Sequence, residues 1–284
     1  MPKHKFKKYE RSESPPGFRI GETDIAILNL LADYRFMDTK QIAAVFTAQT
    51  KRNIKRRLQF MFQAGFIERP TQQFLYSKPS DHLVYALAKK GAALISNNND
   101  AQIKAKDSRQ IGVSFLNHSL MISNFRLALE LALKNNEQFK LSTWKDLGAI
   151  DAVICDGDRL PIAPDAFFTI ESPDYLMHFF LEADRSTMTL ERMANKYKGY
   201  WNWRLEGGQK QKLNIANFRV LTVCISEERT ENLRQIAKKA DGNQTGSEMF
   251  WFTCEKAYNL ENPDAILKAI WKSSKNDNPH HILE

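Results

Sequence analysis

The sequence predicts an α+β chain in two parts: a small, mostly helical N-terminal domain and a larger α/β domain with a mixed sheet. Three observations predict it. The chain has 284 residues, and at about 100–200 residues per domain that length suggests two domains. Helical apolar stripes fill the first third, whereas short strand-like runs alternate with helical stretches after residue 138. The charge is also divided. Residues 1–95 hold 17 Lys+Arg against 8 Asp+Glu, a net of +9, and the remainder hold 24 against 25. A composition of 43% hydrophobic and 26% charged residues is that of a globular chain, not a disordered one. No apolar run approaches the roughly 18 residues of a membrane span. The opening stretch MPKHKFKKYERSESPPG is charged without an apolar segment, so it does not read as a secretory signal.

The elements follow in order. Residues 1–22 read as a basic flexible tail that ends after the Pro15-Pro16-Gly17 breaker. Thr23 is the expected N-cap of a first helix, with Asp24 in its first turn and Ile27, Leu28 and Leu31 on its apolar stripe. Asp38-Thr39 starts a short second helix, Lys40 to Phe46. A third opens near Thr50 and reads TKRNIKRRLQFMFQAG. Ile54, Leu58 and Met61 make its core stripe, Lys51, Arg52, Lys55 and Arg56 lie mostly on the other side, and Gly65 stops it. Two strands, Phe66–Pro70 and Leu83–Leu87, surround a polar loop, Thr71 to Asp81, and a closing helix follows from Ala88 to Ile95. Two short helices, a tight turn, a third helix with a basic outer face and then a strand pair make a winged helix-turn-helix over residues 23–95. In such folds the N-terminal residues of the third helix meet base edges. Thr50, Lys51, Arg52 and Asn53 are therefore the expected base-edge contacts, and Lys55 and Arg56 the phosphate contacts. The alternative is a solvated basic face on a protein-binding module.

Residues 96–110 are polar, lack periodicity and read as a linker. The α/β domain spans 111–272. It opens with a helix from Val113 to Asn135, then shows strand character at Phe139–Trp144, Ala149–Cys155, Asp165–Ile170 and Met177–Asp184. A helix from Thr189 to Leu205 precedes the fully apolar strand Phe218–Ile225, which suits a sheet centre. A helix Glu228–Lys239, a strand Met249–Cys254 and a helix Pro263–Trp271 complete it, and residues 273–284 read as a polar tail. Cys155, Cys224 and Cys254 form no C-x-x-C pair and read as buried thiols in a reducing compartment, which makes a cytoplasmic location the expectation.

One hairpin carries chemistry. With the turn centred on Pro173-Asp174, positions summing to 347 lie opposite each other, which sets Asp165 directly across from Glu182. Glu182 and Asp184 are two apart and share a face. Three converging carboxylates repel unless a proton or cation intervenes, and a hard divalent ion suits oxygen ligands. The alternative is ordinary strand-end acids paired with Arg185 or Lys198. The run YKGYWNWR, Tyr197 to Arg204, either stacks bases or packs its helix on the sheet. Glu206-Gly207-Gly208-Gln209-Lys210 is not a P-loop, and no His-x-His cluster of a strand-nicking relaxase occurs.

The strand pair PDAFF…LEAD inside an α-β-β-β-α-β order resembles the restriction-endonuclease-like, PD-(D/E)XK, nuclease fold. That resemblance implies Asp165 and Glu182 as the acidic pair. It also implies a lysine at the position where this sequence has Asp184, with Lys196 or Lys198 on the next helix as substitutes and Glu130 as a further acid from the preceding helix. Mg²⁺ or Mn²⁺ held by Asp165, Glu182, Asp184 and Glu130 would then be the cofactor. From Thr23 to Ile225 the chain also resembles the replication-relaxation family of plasmid and mobile-element proteins. The matching stretches are FMDTKQIAAVF, RRLQFMFQAGFIER, YALAKKG, NHSLMISNF, PDAFF, LEADRST and KYKGY. That resemblance implies a DNA-binding accessory role on a bacterial extrachromosomal or integrated element.

Three readings stay open: a DNA-binding accessory protein, a divalent-metal-dependent nuclease, and a winged-helix adaptor or transcriptional regulator. The expected partners are double-stranded DNA, a second copy of the chain, and replication or mobilisation proteins, with no membrane.

Overall fold

The structure is a computed structural model, and it describes residues 6–15, 17–71, 73, 83–98, 103, 105, 111–146 and 162–284. The chain divides into two compact units, Met1–Ser123 and Asn124–Glu284. The division falls inside a helix, not in the 96–110 stretch. Packing explains this: Leu116 joins a cluster with Phe36, Val84 and Ala86, so the first half of that helix belongs to the N-terminal unit.

In the first unit the elements are α1 (Glu22–Tyr34), β1 (Met37–Asp38), α2 (Thr39–Val45), α3 (Lys51–Gln63), β2 (Ile67–Glu68), β3 (Val84–Leu87), α4 (Lys89–Asn98) and the start of α5 (Val113–Leu133). The three strands form an antiparallel sheet in the order β1-β3-β2, which completes a winged helix. Asp38 caps α2 in a full capping box: it accepts from the Gln41 amide at 2.7 Å while Gln41 accepts from the Asp38 amide at 2.9 Å. Helix α1 begins earlier than Thr23. Gly21 is its N-cap, because Asp24 reaches back to accept the Gly21 amide at 2.8 Å. Ile27, Leu28, Leu31, Ile42, Ile54, Leu58 and Met61 fill the core. Gly91 is required by close packing, since a Cβ there would run into the Phe66 carbonyl and the Leu28 side chain. Most of the wing loop, 71–81, lies outside the described residues.

The N-terminal segment departs from the expected flexible tail. The described residues from Phe6 to Gly21 run along α3. Arg11 donates to the carbonyls of Phe62 and Ile67 at 2.9 and 3.1 Å, and the Ser12 amide donates to buried Gln63 at 2.6 Å. The sequence there is polar, and side chains elsewhere in the chain hold it down.

The second unit holds the rest of α5, β4 (Lys140–Asp146), β5 (Ala166–Glu171), β6 (Leu176–Asp184), α6 (Leu190–Leu205), α7 (Gly208–Leu213), β7 (Arg219–Cys224), α8 (Glu227–Ala237), β8 (Phe250–Cys254), β9 (Trp271–Ser273) and β10 (Pro279–His280). Its seven-stranded sheet has the order β10-β9-β8-β7-β6-β5-β4, with β6, β7 and β8 parallel and the outer pairs antiparallel. This is the mixed sheet the sequence predicts. One face packs Phe180, Val220, Phe250 and Phe252 against Tyr197, Tyr200 and Trp203 of α6 and Leu233 of α8. On the other, Phe125 of α5 meets Phe168, Tyr258 and Trp271. The aromatic residues of YKGYWNWR therefore serve packing.

Two expectations are corrected. Residues 263–271 are not one helix: Pro263–Leu267 is a short 3-10 helix, and Trp271 opens β9. Residues 273–284 are not a tail, because β10 pairs with β9, Ile282 is fully buried, and His280 stacks on Trp251 with ring centres 4.7 Å apart. The strand expected at Ala149–Cys155 lies outside the described residues.

Candidate nucleic-acid face and a buried carboxylate cluster

Helix α3 is fixed at both ends. The Thr50 hydroxyl accepts the Asn53 amide at 3.2 Å, and Gly65, at a φ of 81°, lets the chain turn away. Its inner stripe is buried, so Lys51, Arg52, Asn53, Lys55 and Arg56 are left exposed. Among the described residues none of these four cations enters an ion pair. Thr50 is the cap, and its hydroxyl is already engaged. The first two turns of α3 thus present exposed guanidinium, ammonium and amide groups on one rigid element, beside a helix N-terminus that favours anions.

In the second unit the hairpin has the register deduced from its turn. Ala166 pairs with Leu181 and Phe167 with Phe180, and the turn closes through the Ser172 amide on the Tyr175 carbonyl at 2.9 Å. Asp165 stands at the open end, where its Oδ2 accepts the Ala183 amide at 2.8 Å. Glu182 and Asp184 share the sheet face covered by α6 and α8, and both are buried. The Lys196 ammonium lies 2.5 Å from Glu182 Oε2, and the Tyr200 hydroxyl donates to Oε1 at 2.5 Å. Arg229 of α8 grips Asp184 with two donors, at 2.8 and 3.0 Å, while the Ser186 amide adds a third at 2.9 Å. Lys198 is exposed, and Glu130 pairs with Arg126 one turn away on α5 at 2.8 Å. The structure therefore brings Asp165, Glu182 and Lys196 together, gives Asp184 to Arg229, and leaves Lys198 outside.

Burial pushes the Glu182 carboxyl up to about 7, against the pull of Lys196 and with a further push from Asp165. Burial by itself lowers Lys196, but the carboxylates of Glu182, Asp165 and Asp184 outweigh it and hold the ammonium above its ordinary value. The same burial, with Glu182 adjacent, raises the Tyr200 hydroxyl well above its usual range.

A divalent ion does not fit this arrangement. Both Glu182 oxygens and both Asp184 oxygens already hold cationic or hydroxyl donors, and among the described residues no group of three His, Cys, Asp or Glu side chains is placed to share an ion. The positive charge is supplied from within, by Lys196 and Arg229. Sequence reasoning missed Tyr200 and Arg229. The i, i+4 spacing of Lys196 and Tyr200 on one helix face was a usable signal for the first. Nothing local marks Arg229, which reaches Asp184 across 45 positions.

The sequence model for replication-relaxation proteins matches residues 28–218 of this chain. No curated protein matches it. Among solved structures, that of the restriction endonuclease FokI is similar at 9% identity and a TM-score of 0.32, over 86% of this chain and 43% of that one. The chain thus spans less than half the length of that structure, and the match is too distant to bear on the site.

Proposed function

This chain belongs to the replication-relaxation family, and from that premise we propose that it is a DNA-binding accessory protein of plasmid or mobile-element replication. Its winged helix docks α3 in the major groove. The observation that carries the reading is the capped N-terminal half of α3, with four exposed cations in no ion pair among the described residues and Asn53 between them. Arg52 and Asn53 are matched to base edges, and Lys55 and Arg56 to phosphates. A homodimer spanning two half-sites and a partnership with replication or mobilisation proteins belong to the same proposal. So does a cytoplasmic location, which accords with Cys224 and Cys254 as buried thiols on β7 and β8. No helix among the described residues is long and apolar enough to cross a membrane.

Metal-dependent cleavage through Asp165, Glu182 and Lys196 is the competing reading. Their convergence favours it, and the occupied carboxylate oxygens weigh against it. One experiment separates the two: purified protein with supercoiled plasmid, in Mg²⁺ or Mn²⁺ against EDTA, read by topology and mobility-shift gels. The expected result is a salt-sensitive shift with supercoils intact, lost when Arg52 and Arg56 become Glu. Metal-dependent nicking that Glu182→Ala abolishes would overturn it, and binding unaffected by the Arg→Glu changes would favour a protein-binding adaptor.

A further inference from the structure

The N-terminal segment packed on α3 forms a strap whose anchors are buried. Gln63, 3% exposed, is used at both ends: its Oε1 accepts the Ser12 amide and its Nε2 donates to the Glu10 carbonyl at 3.0 Å. Arg69, 4% exposed and in no ion pair among the described residues, is stacked between Phe62 and Tyr85 and donates to the Lys8 carbonyl. Burying such groups without partners is costly, so the strap's main chain is part of the folded unit. Farther along it, Phe18 stacks on Phe60 with ring centres 6.1 Å apart. Arg57, neutralised by buried Asp24, donates to the Arg19 carbonyl at 3.2 Å.

The strap therefore crosses the C-terminal half of α3 and leaves the N-terminal half open. A cleft of about 830 Å³ remains between them. Asn53, Arg56 and Phe60 lie one helical turn apart along one wall, and Arg19 stands on the other. Arg19 is exposed, and its side chain has no partner among the described residues. Arg56 lies over the Phe60 ring, which holds its guanidinium at the rim. Glu22, at the foot of α1, is the carboxylate in the lining, against Arg19 and Arg56, while Arg57 is already paired with Asp24. When a recognition helix lies in the major groove, a sugar–phosphate strand runs alongside it.

We infer that the strap and α3 clasp one such strand of duplex DNA, with Arg19 on one side of the phosphates and Arg56 on the other. This rests on the docking of α3 proposed above, and it adds a second wall that the winged helix alone lacks. The test is fluorescence anisotropy of a labelled duplex from 50 to 300 mM NaCl, with wild type, Arg19→Ala and Arg52→Ala, each checked for an unchanged melting temperature. Arg19→Ala is expected to reduce the slope of log K against log[salt] by about 1 and to weaken binding several-fold on every sequence tried. Arg52→Ala is expected to change the preference between sequences. An unchanged slope in Arg19→Ala, with wild type and Arg52→Ala behaving as expected, overturns the clasp and leaves α3 docking intact. Absence of salt-dependent duplex binding by the wild type overturns both.

Discussion

Glu182 places one oxygen on an ammonium and the other on a phenol, and so couples β6 to two positions of α6 one turn apart. Removing the cation leaves buried Glu182 beside half-buried Asp165 with no ammonium to offset them. Lys196→Met is therefore expected to cost about 3–5 kcal/mol, and Glu182→Gln less, since the amide keeps the Tyr200 hydrogen bond. Urea denaturation at pH 7 measures both. The pH dependence has a definite sign. The folded value of Glu182, about 7, lies above its ordinary 4.5, so the folded state holds this proton more tightly. The resulting stabilisation is complete below pH 4.5 and is lost as pH rises through 7. Glu182→Gln is expected to flatten the stability profile across that window, and a profile identical to wild type would contradict the assignment. At this scale the hairpin register was legible, because a tight turn fixes which residues face each other and Asp165–Glu182 follow from it. The partners were legible only in part: Lys196 is among the groups that the nuclease resemblance implies, and its i, i+4 spacing to Tyr200 marks one face of α6, whereas no local pattern announces Arg229 of α8, 45 positions from Asp184.

Among the elements, α3 depends on its cap. Thr50→Ala removes the acceptor of the Asn53 amide and is expected to cost about 1 kcal/mol. The loss frays the turn that carries Lys51, Arg52 and Asn53, so duplex affinity is expected to fall along with thermal stability, measurable by anisotropy and calorimetry on one preparation. Full affinity in a destabilised Thr50→Ala would argue that the first turn does not touch DNA. The helices and most strands could be read from periodicity, caps and Gly65, since each is a local signal. The strap and the segment that carries β10 could not. Both are polar stretches ordered by distant side chains, Gln63 and Arg69 for one, Trp251 for the other, and composition alone makes such segments look like tails.

For the whole molecule, the two units divide the chemistry. The first carries the excess positive charge, and the second buries charges that neutralise one another. Because Lys196 and Arg229 already supply the cations, 1 mM Mn²⁺ is expected to leave the melting temperature unchanged. A site with an affinity near 10 μM would add about 2.7 kcal/mol and, in a unit of about 160 residues, raise the melting temperature by several degrees. Scanning calorimetry with metal and with EDTA decides it, and a rise that Glu182→Gln removes would restore the metal centre.

The large sheet has one more property. Among the described strands the spatial order from β4 to β10 is the order in the chain, so every strand lies beside the one made just before it. As the polypeptide leaves the ribosome, each new strand meets an edge that is already laid down, and none has to be threaded between two finished neighbours. Assembly can proceed in one direction at the pace of synthesis, and the barrier set by distant pairings is kept low even though the middle of the sheet is parallel.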